Sequence, residues 1–173
     1  PNTTTPNINE QTEFIIHNAP FKIDGHTILV GCSLGGVVMY KLLEKLTAPI
    51  AKVVFVDPVV KPEYNDREPR EAVLDSCDWK FNWEKIREHA SERIILADVN
   101  YPIIKKEHLE ELNKNIHGRL VVRLPNVPHF SSVKGALSKE PVVLEEVLRS
   151  DCGQIVELKK ASKVVANKTE IEQ

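Results

Sequence analysis

Polar and apolar positions alternate between two periods along this chain. Asn7, followed three residues later by Glu10, has the form of a helix start, and Ile8, Thr12, Ile15 and Ile16 supply a stripe for burial, so a helix is predicted here. The centre of that segment, Phe14-Ile15-Ile16-His17, is also β-branched enough for a strand. Thr27 to Val30 is an unbroken apolar run ending at Gly31, the pattern of a fully buried parallel strand. Gly35 to Leu46 returns to the helical period, with Val38, Leu42, Leu43 and Leu46 on one face. Val53 to Val56, Arg93 to Ala97 and Leu120 to Leu124 predict three more strands. Asn82 is placed to cap a helix over Trp83 to Ala90, Glu107 to Ile116 predicts a helix that stops near Gly118, and Val142 to Leu148 predicts a last core helix. Residues 59–80, polar and Pro-rich, form an excursion between core elements.

Strands and helices of these lengths in alternation build βαβ units. The expected fold class is therefore α/β: a parallel sheet with helices on both faces, a three-layer sandwich over residues 1–150. Residues 151–173 carry Ile155, Val156, Leu158, Val164 and Val165 at loosely helical spacing and are expected to be a tail or an appended helix.

With 173 residues, 42% of them hydrophobic and 28% charged, the chain can bury a sizeable single core. A net charge of −2 provides no basic field for nucleic acid or an anionic membrane surface. The cluster Lys159, Lys160 and Lys163 reads as a solvated helix face. No apolar run approaches the roughly 18 residues that span a bilayer. The three cysteines, Cys32, Cys77 and Cys152, are an odd number without paired spacing, which points to a reducing, cytoplasmic compartment rather than a disulfide framework. The sequons at Asn2 and Asn167 then read as chance.

One segment carries chemistry. Gly31-Cys32-Ser33-Leu34-Gly35 fits G-x-S-x-G, the turn that lifts a serine hydroxyl above a sheet between a strand and a helix. Such a turn is tight enough that the residues two before and two after the serine should lack side chains. Gly36, next in line, fits the turn or a plain packing role equally. Cys32 is the rival nucleophile, and its place before the serine should point it into the protein as a small hydrophobe. A hydroxyl needs a base, and the base needs an orienting carboxylate. Asp98 closes the third predicted strand and His129 follows the fourth, in the chain order Ser, acid, His. Asp57, after the second strand, competes with Asp98 for the acid role. His17, His26, His89, His108 and His117 fall in helices or polar turns and read as surface residues. Trp79, Phe81 and Trp83 either wall a pocket above Ser33 or pin the excursion to the core. No metal or cofactor is called for.

Taken together, GCSLGG, FNWEKIREHA, ILADVNYPI and LPNVPHF resemble the small serine hydrolases of the retinoblastoma-binding protein nine family, from about Pro1 to Leu148. The resemblance implies a compact α/β-hydrolase fold and a triad of Ser33, Asp98 and His129. That family begins with a strand, a loop and a helix, then a second strand leading into a Pro-Asn pair. This chain starts at Pro1-Asn2, so an N-terminal truncation is expected. The backbone N–H of Leu34 would then hold the oxyanion while the second donor is lacking. The strand before Ser33 would present an apolar edge, to be covered by another segment, a protein partner or a dimer. The expected activity is hydrolysis of a small ester, thioester or amide, with a small-molecule or peptide substrate. The alternative is a catalytically inactive binding module of the same fold. A nucleotide-binding domain, suggested only by glycines after a strand, lacks a Walker lysine.

Overall fold

The computed structural model describes residues 7–62, 71–98, 104–123 and 141–149. Its elements run α1 (Ile8–Asn18), β1 (Ile28–Cys32), α2 (Leu34–Lys45), β2 (Ile50–Val56), α3 (Glu71–Leu74), α4 (Trp83–Glu88), β3 (Ala90–Asp98), α5 (Lys106–Ile116), β4 (Arg119–Arg123) and α6 (Pro141–Leu148). The strands form one parallel sheet in the order β1-β2-β3-β4. Every connection joins neighbouring parallel strands by a crossover, so the C-terminal ends of all four strands lie along one rim.

The two faces of the sheet have separate cores. Val53, Phe55, Ile95 and Ala97 point to the face covered by α1, α2, α4 and α5, where Ile8, Tyr40, Leu42, Leu43, Ile86, Leu112 and Ile116 are buried. Val54, Val56, Ile94, Leu96 and Val121 point the other way, against Val142, Val143 and Val147 of α6. The expected three-layer α/β arrangement is thus present, and its cause is the period of two along β2 and β3 with both faces apolar.

The helix reading of the first segment holds. Asn7 Oδ1 accepts the Glu10 N–H at 3.0 Å, and Ile8 and Thr12 are buried. Ile16, expected in the stripe, is exposed: α1 packs on α2 and, through the Ile8 N–H to the Ser76 carbonyl, on the segment before α4, with Ile16 turned outward. Helix α2 is buried continuously from Gly36 to Leu43, wider than the single face expected, since α1, α4 and the sheet enclose it. Asn82 caps α4 through the Lys85 N–H at 3.1 Å, but the helix stops at Glu88 and Ala90 already belongs to β3. Helix α5 ends at Ile116, as expected, and the residue that takes the left-handed conformation just past it is His117 (φ 49°) rather than Gly118. Gly118 has a different use: a Cβ there would lie 3.0 Å from the Arg93 carbonyl oxygen.

Strand β1 departs most from expectation. It is not fully buried: Ile28 and Val30 are 41% and 45% exposed. In register they stand beside Lys52 and Val54 of β2, on the α6 face. Helix α6 packs against β2, and Ile28 and Val30 of β1 stay partly open on that side. Beneath the end of α6, Lys52 Nζ donates to the Val147 and Arg149 carbonyl oxygens and pairs with Glu92 at 2.9 Å, while Arg119 pairs with Glu146 at 2.7 Å. A cation on the last carbonyls of a helix suits its dipole and fixes where α6 sits. Leu124 and residues 151–173, with the three tail lysines and Cys152, lie outside the described residues. Among the described residues no helix is long and apolar enough to cross a membrane.

Candidate active site

Ser33 occupies the single residue between β1 and α2, with φ 54° and ψ −122°. No side chain relieves a serine in this region of φ/ψ space, and such conformations cost of order 1–3 kcal/mol, kept only where surrounding structure imposes them. Here three backbone hydrogen bonds impose it. The Ser33 N–H donates to the Val56 carbonyl at 3.0 Å, and its own carbonyl accepts from the N–H of Gly36 at 3.0 Å and of Val59 at 3.2 Å. Serine at a helix N-cap ordinarily turns its hydroxyl onto the first-turn amides. Ser33 makes no such side-chain cap. The hydroxyl is withheld from the helix at a position where capping is its usual role.

The glycines around it divide in a way the motif does not show. A Cβ on Gly31 would lie 2.6 Å from the Gly35 carbonyl oxygen and 2.6 Å from Met39 Cγ. A Cβ on Gly36 would lie 2.8 Å from Pro58 Cβ. A Cβ on Gly35 would meet nothing within 4 Å. The expectation that both flanking motif glycines are sterically required is therefore corrected: Gly31 and Gly36 are, because backbone and a proline ring close on them, and Gly35 faces open space. Gly31→Ala is expected to lower stability by about 1–3 kcal/mol, as overpacking against an unyielding backbone does. Gly35→Ala, inside α2, should instead be neutral or stabilising by up to about 1 kcal/mol. Urea unfolding of the two variants checks this, and equal losses would contradict it.

Cys32 also corrects an expectation. It alternates with Gly31 and shares the uncovered side of β1 with Ile28 and Val30, so it is exposed rather than turned into the core. The surroundings of its sulfur push its pKa up to about 11, desolvation first and then the Asp57 carboxylate. A raised pKa leaves less thiolate at neutral pH than an ordinary cysteine has, which disfavours Cys32 as the attacking group.

Asp98 is the last residue of β3 and is 9% exposed. Strand β2 lies between β1 and β3, so Ser33 and Asp98 stand on the same rim two strand spacings apart, roughly 10 Å. The residue at the rim between them is Asp57, 1% exposed, with φ 38°. Its Oδ1 accepts the Asp98 N–H at 2.8 Å. His129 and its neighbours Asn126 to Pro128 lie outside the described residues. His89 contributes a structural contact, its Nδ1 lying 2.7 Å from the Leu43 carbonyl.

The aromatic residues gather around Tyr40 of α2. Phe55, Phe81 and Trp83 place their ring centroids 4.9, 5.2 and 5.5 Å from that of Tyr40, and the Trp79 indole N–H donates to the Val73 and Leu74 carbonyls. These contacts tie the segment before α4 to the core. Phe81 and Trp83 also line an open depression of about 650 Å³ whose other walls include Lys41, Glu44, Asp78 and Lys80; Ser33 is not among them. Lys41, nearly buried, bridges Asp78 at 2.7 Å and Glu44 at 3.5 Å. Among the described residues no group of three or more His, Cys, Asp or Glu side chains is placed to hold a metal ion.

The chain matches no known protein-family description and no curated protein sequence. Solved structures do share its fold. The ydeN gene product of B. subtilis is 22% identical, superposes with a TM-score of 0.66, and matches over 83% of this chain and 74% of its own. A provisionally assigned aryl esterase from Burkholderia cenocepacia is 14% identical with a TM-score of 0.51, over 69% of this chain and 63% of its own. At these identities the likeness establishes the fold alone, a parallel sheet with helices on both faces.

Proposed function

We propose that this chain carries the nucleophile and acid of a serine hydrolase, of the small kind that its sequence motifs resemble. One observation carries the reading: a serine held at φ 54° on the rim of a parallel sheet, at a helix N-cap, with its hydroxyl not used for capping. Ser33 attacks an ester, thioester or amide carbonyl, His129 takes the proton, and Asp98 orients the imidazole. The Leu34 N–H, first in α2 and without an intrahelical acceptor, faces the developing oxyanion. Water then releases the acyl group. His129 follows the end of β4 by six residues, a stretch that can span about 20 Å. Two intervening strands separate β4 from β1, roughly 14 Å in all, so six residues are long enough for the imidazole to return across the rim.

A fluorophosphonate probe is the direct test, because it reacts with an activated serine hydroxyl and not with an ordinary one. Labelling is expected on the Ser33 peptide, located by mass spectrometry, and absent from Ser33→Ala. Labelling that persists in that variant would defeat the assignment. A second reading, a non-catalytic binding module, draws on the exposed Ile28 and Val30 beside Ser33, an apolar strip suited to a protein partner or a second copy. That reading requires the probe to leave Ser33 unmodified.

A further inference from the structure

We propose that Asp57 is a positioning residue that ties the acid turn to the nucleophile turn; the proposal deepens the serine hydrolase reading and rests on it. The sheet order puts β2 between the strands that carry Ser33 and Asp98, so neither can brace the other directly. The turn after β2 bridges them. On one side, the Val56 carbonyl and the Val59 N–H hold the backbone of Ser33 at 3.0 and 3.2 Å. On the other, the Asp57 N–H donates to the Leu96 carbonyl at 2.8 Å, and Asp57 Oδ1 accepts the Asp98 N–H at 2.8 Å. Pro58, next in the chain, closes on Gly36 in the first turn of α2. One four-residue turn is thus hydrogen-bonded to Ser33 and to the end of β3, and its Pro58 packs against Gly36 of the helix behind.

The side-chain bond extends the ladder past its end. Regular pairing of β2 with β3 runs to Val56 and Leu96; one more backbone bond follows, from the Asp57 N–H to the Leu96 carbonyl, and the next β3 amide, that of Asp98, goes to the Asp57 side chain. The carboxylate of Asp57 supplies the missing acceptor, and a bond from N–H to an anionic oxygen is stronger than a neutral one. It needs an aspartate or asparagine for a second reason: φ is 38°, a region that these two residues tolerate far better than most. The residue is buried and so anchored, a placement that suits holding more than reacting.

The test compares Asp57→Asn, Asp57→Gly and the parent chain by hydrogen exchange at the Asp98 amide and by kcat and KM on a p-nitrophenyl ester. Asparagine keeps an oxygen acceptor and the conformation; glycine keeps the conformation and removes the acceptor. Asp57→Asn is expected to retain Asp98 amide protection and kcat within about threefold, the rescue that a hydrogen-bond role requires. Asp57→Gly is expected to lose the protection and about 10² in kcat, with KM little changed, as small misplacements of reacting groups do. Unchanged protection and kcat in Asp57→Gly would overturn the proposal. So would a loss in Asp57→Asn as deep as in Asp98→Asn, which would make Asp57 the acid itself. Should the parent chain neither hydrolyse the ester nor take the probe, the hydrolase reading fails, while amide exchange in the Asn and Gly variants still decides whether Asp57 holds the Asp98 turn.

Discussion

Ser33→Ala is expected to lower kcat on a p-nitrophenyl ester by about six orders of magnitude, the scale lost when a triad nucleophile is removed. Its stability should hardly move. The hydroxyl makes no cap to α2, and alanine is strained at φ 54° as serine is, so neither folded contacts nor backbone cost changes. Ser33→Gly sharpens the point. It should lose the same activity yet unfold at higher urea, by about 1 kcal/mol or more, because glycine occupies that region without penalty. Activity and stability then move in opposite directions at one residue, the mark of strain kept for chemistry. A capping role would give the reverse: Ser33→Ala destabilising by about 1 kcal/mol with hydrolysis intact. Burst kinetics and urea curves on the three proteins separate the two outcomes.

Asp98→Asn is expected to cost about four orders of magnitude in kcat, because an amide in place of the carboxylate favours the wrong imidazole tautomer and cannot stabilise the imidazolium. The substitution is conservative in every other respect. It leaves the Asp98 N–H, and so the bond to Asp57 Oδ1, in place. It keeps the side-chain shape at a position that is 9% exposed. KM should therefore change little and the thermal midpoint by no more than a few degrees. If Asp98→Asn retained more than a tenth of the parent kcat, Asp98 would not be the carboxylate behind the base, and Asp57, one strand nearer to Ser33, would take its place. The pair of asparagine variants thus assigns the two rim carboxylates between orienting the base and holding the turn.

Much of the architecture could be read from pattern alone where one local rule governed. Buried strands β2 and β3 show continuous apolar runs because both faces are covered. Asn7 and Asn82 announce their helices because a side-chain oxygen meets a first-turn amide within three residues. Gly31 before Ser33 was legible because the demand of the turn is steric and local. Where long-range neighbours governed, the reading failed. The apolar run of β1 looked like that of β2, yet its outer side is exposed, since no periodicity records which strand lies at the edge of a sheet. Gly35 satisfied the motif and proved to face open space, while Gly36, ambiguous in sequence, is pressed by Pro58 from 22 residues further on. Cys32 was expected inside and lies outside for the same reason as Ile28 and Val30.

Sequence by itself determined the alternation of strand and helix, the turn that bears Ser33, and the order in which Ser33, Asp98 and His129 follow one another, because each is written in contiguous residues and in steric limits on the backbone. Only the tertiary structure decided that β2 separates Ser33 from Asp98, that Asp57 fills the interval between them, and that Ser33 keeps its hydroxyl off the helix it begins. Those facts arise from pairing between residues tens of positions apart, whose register is selected by two separate cores packing at once.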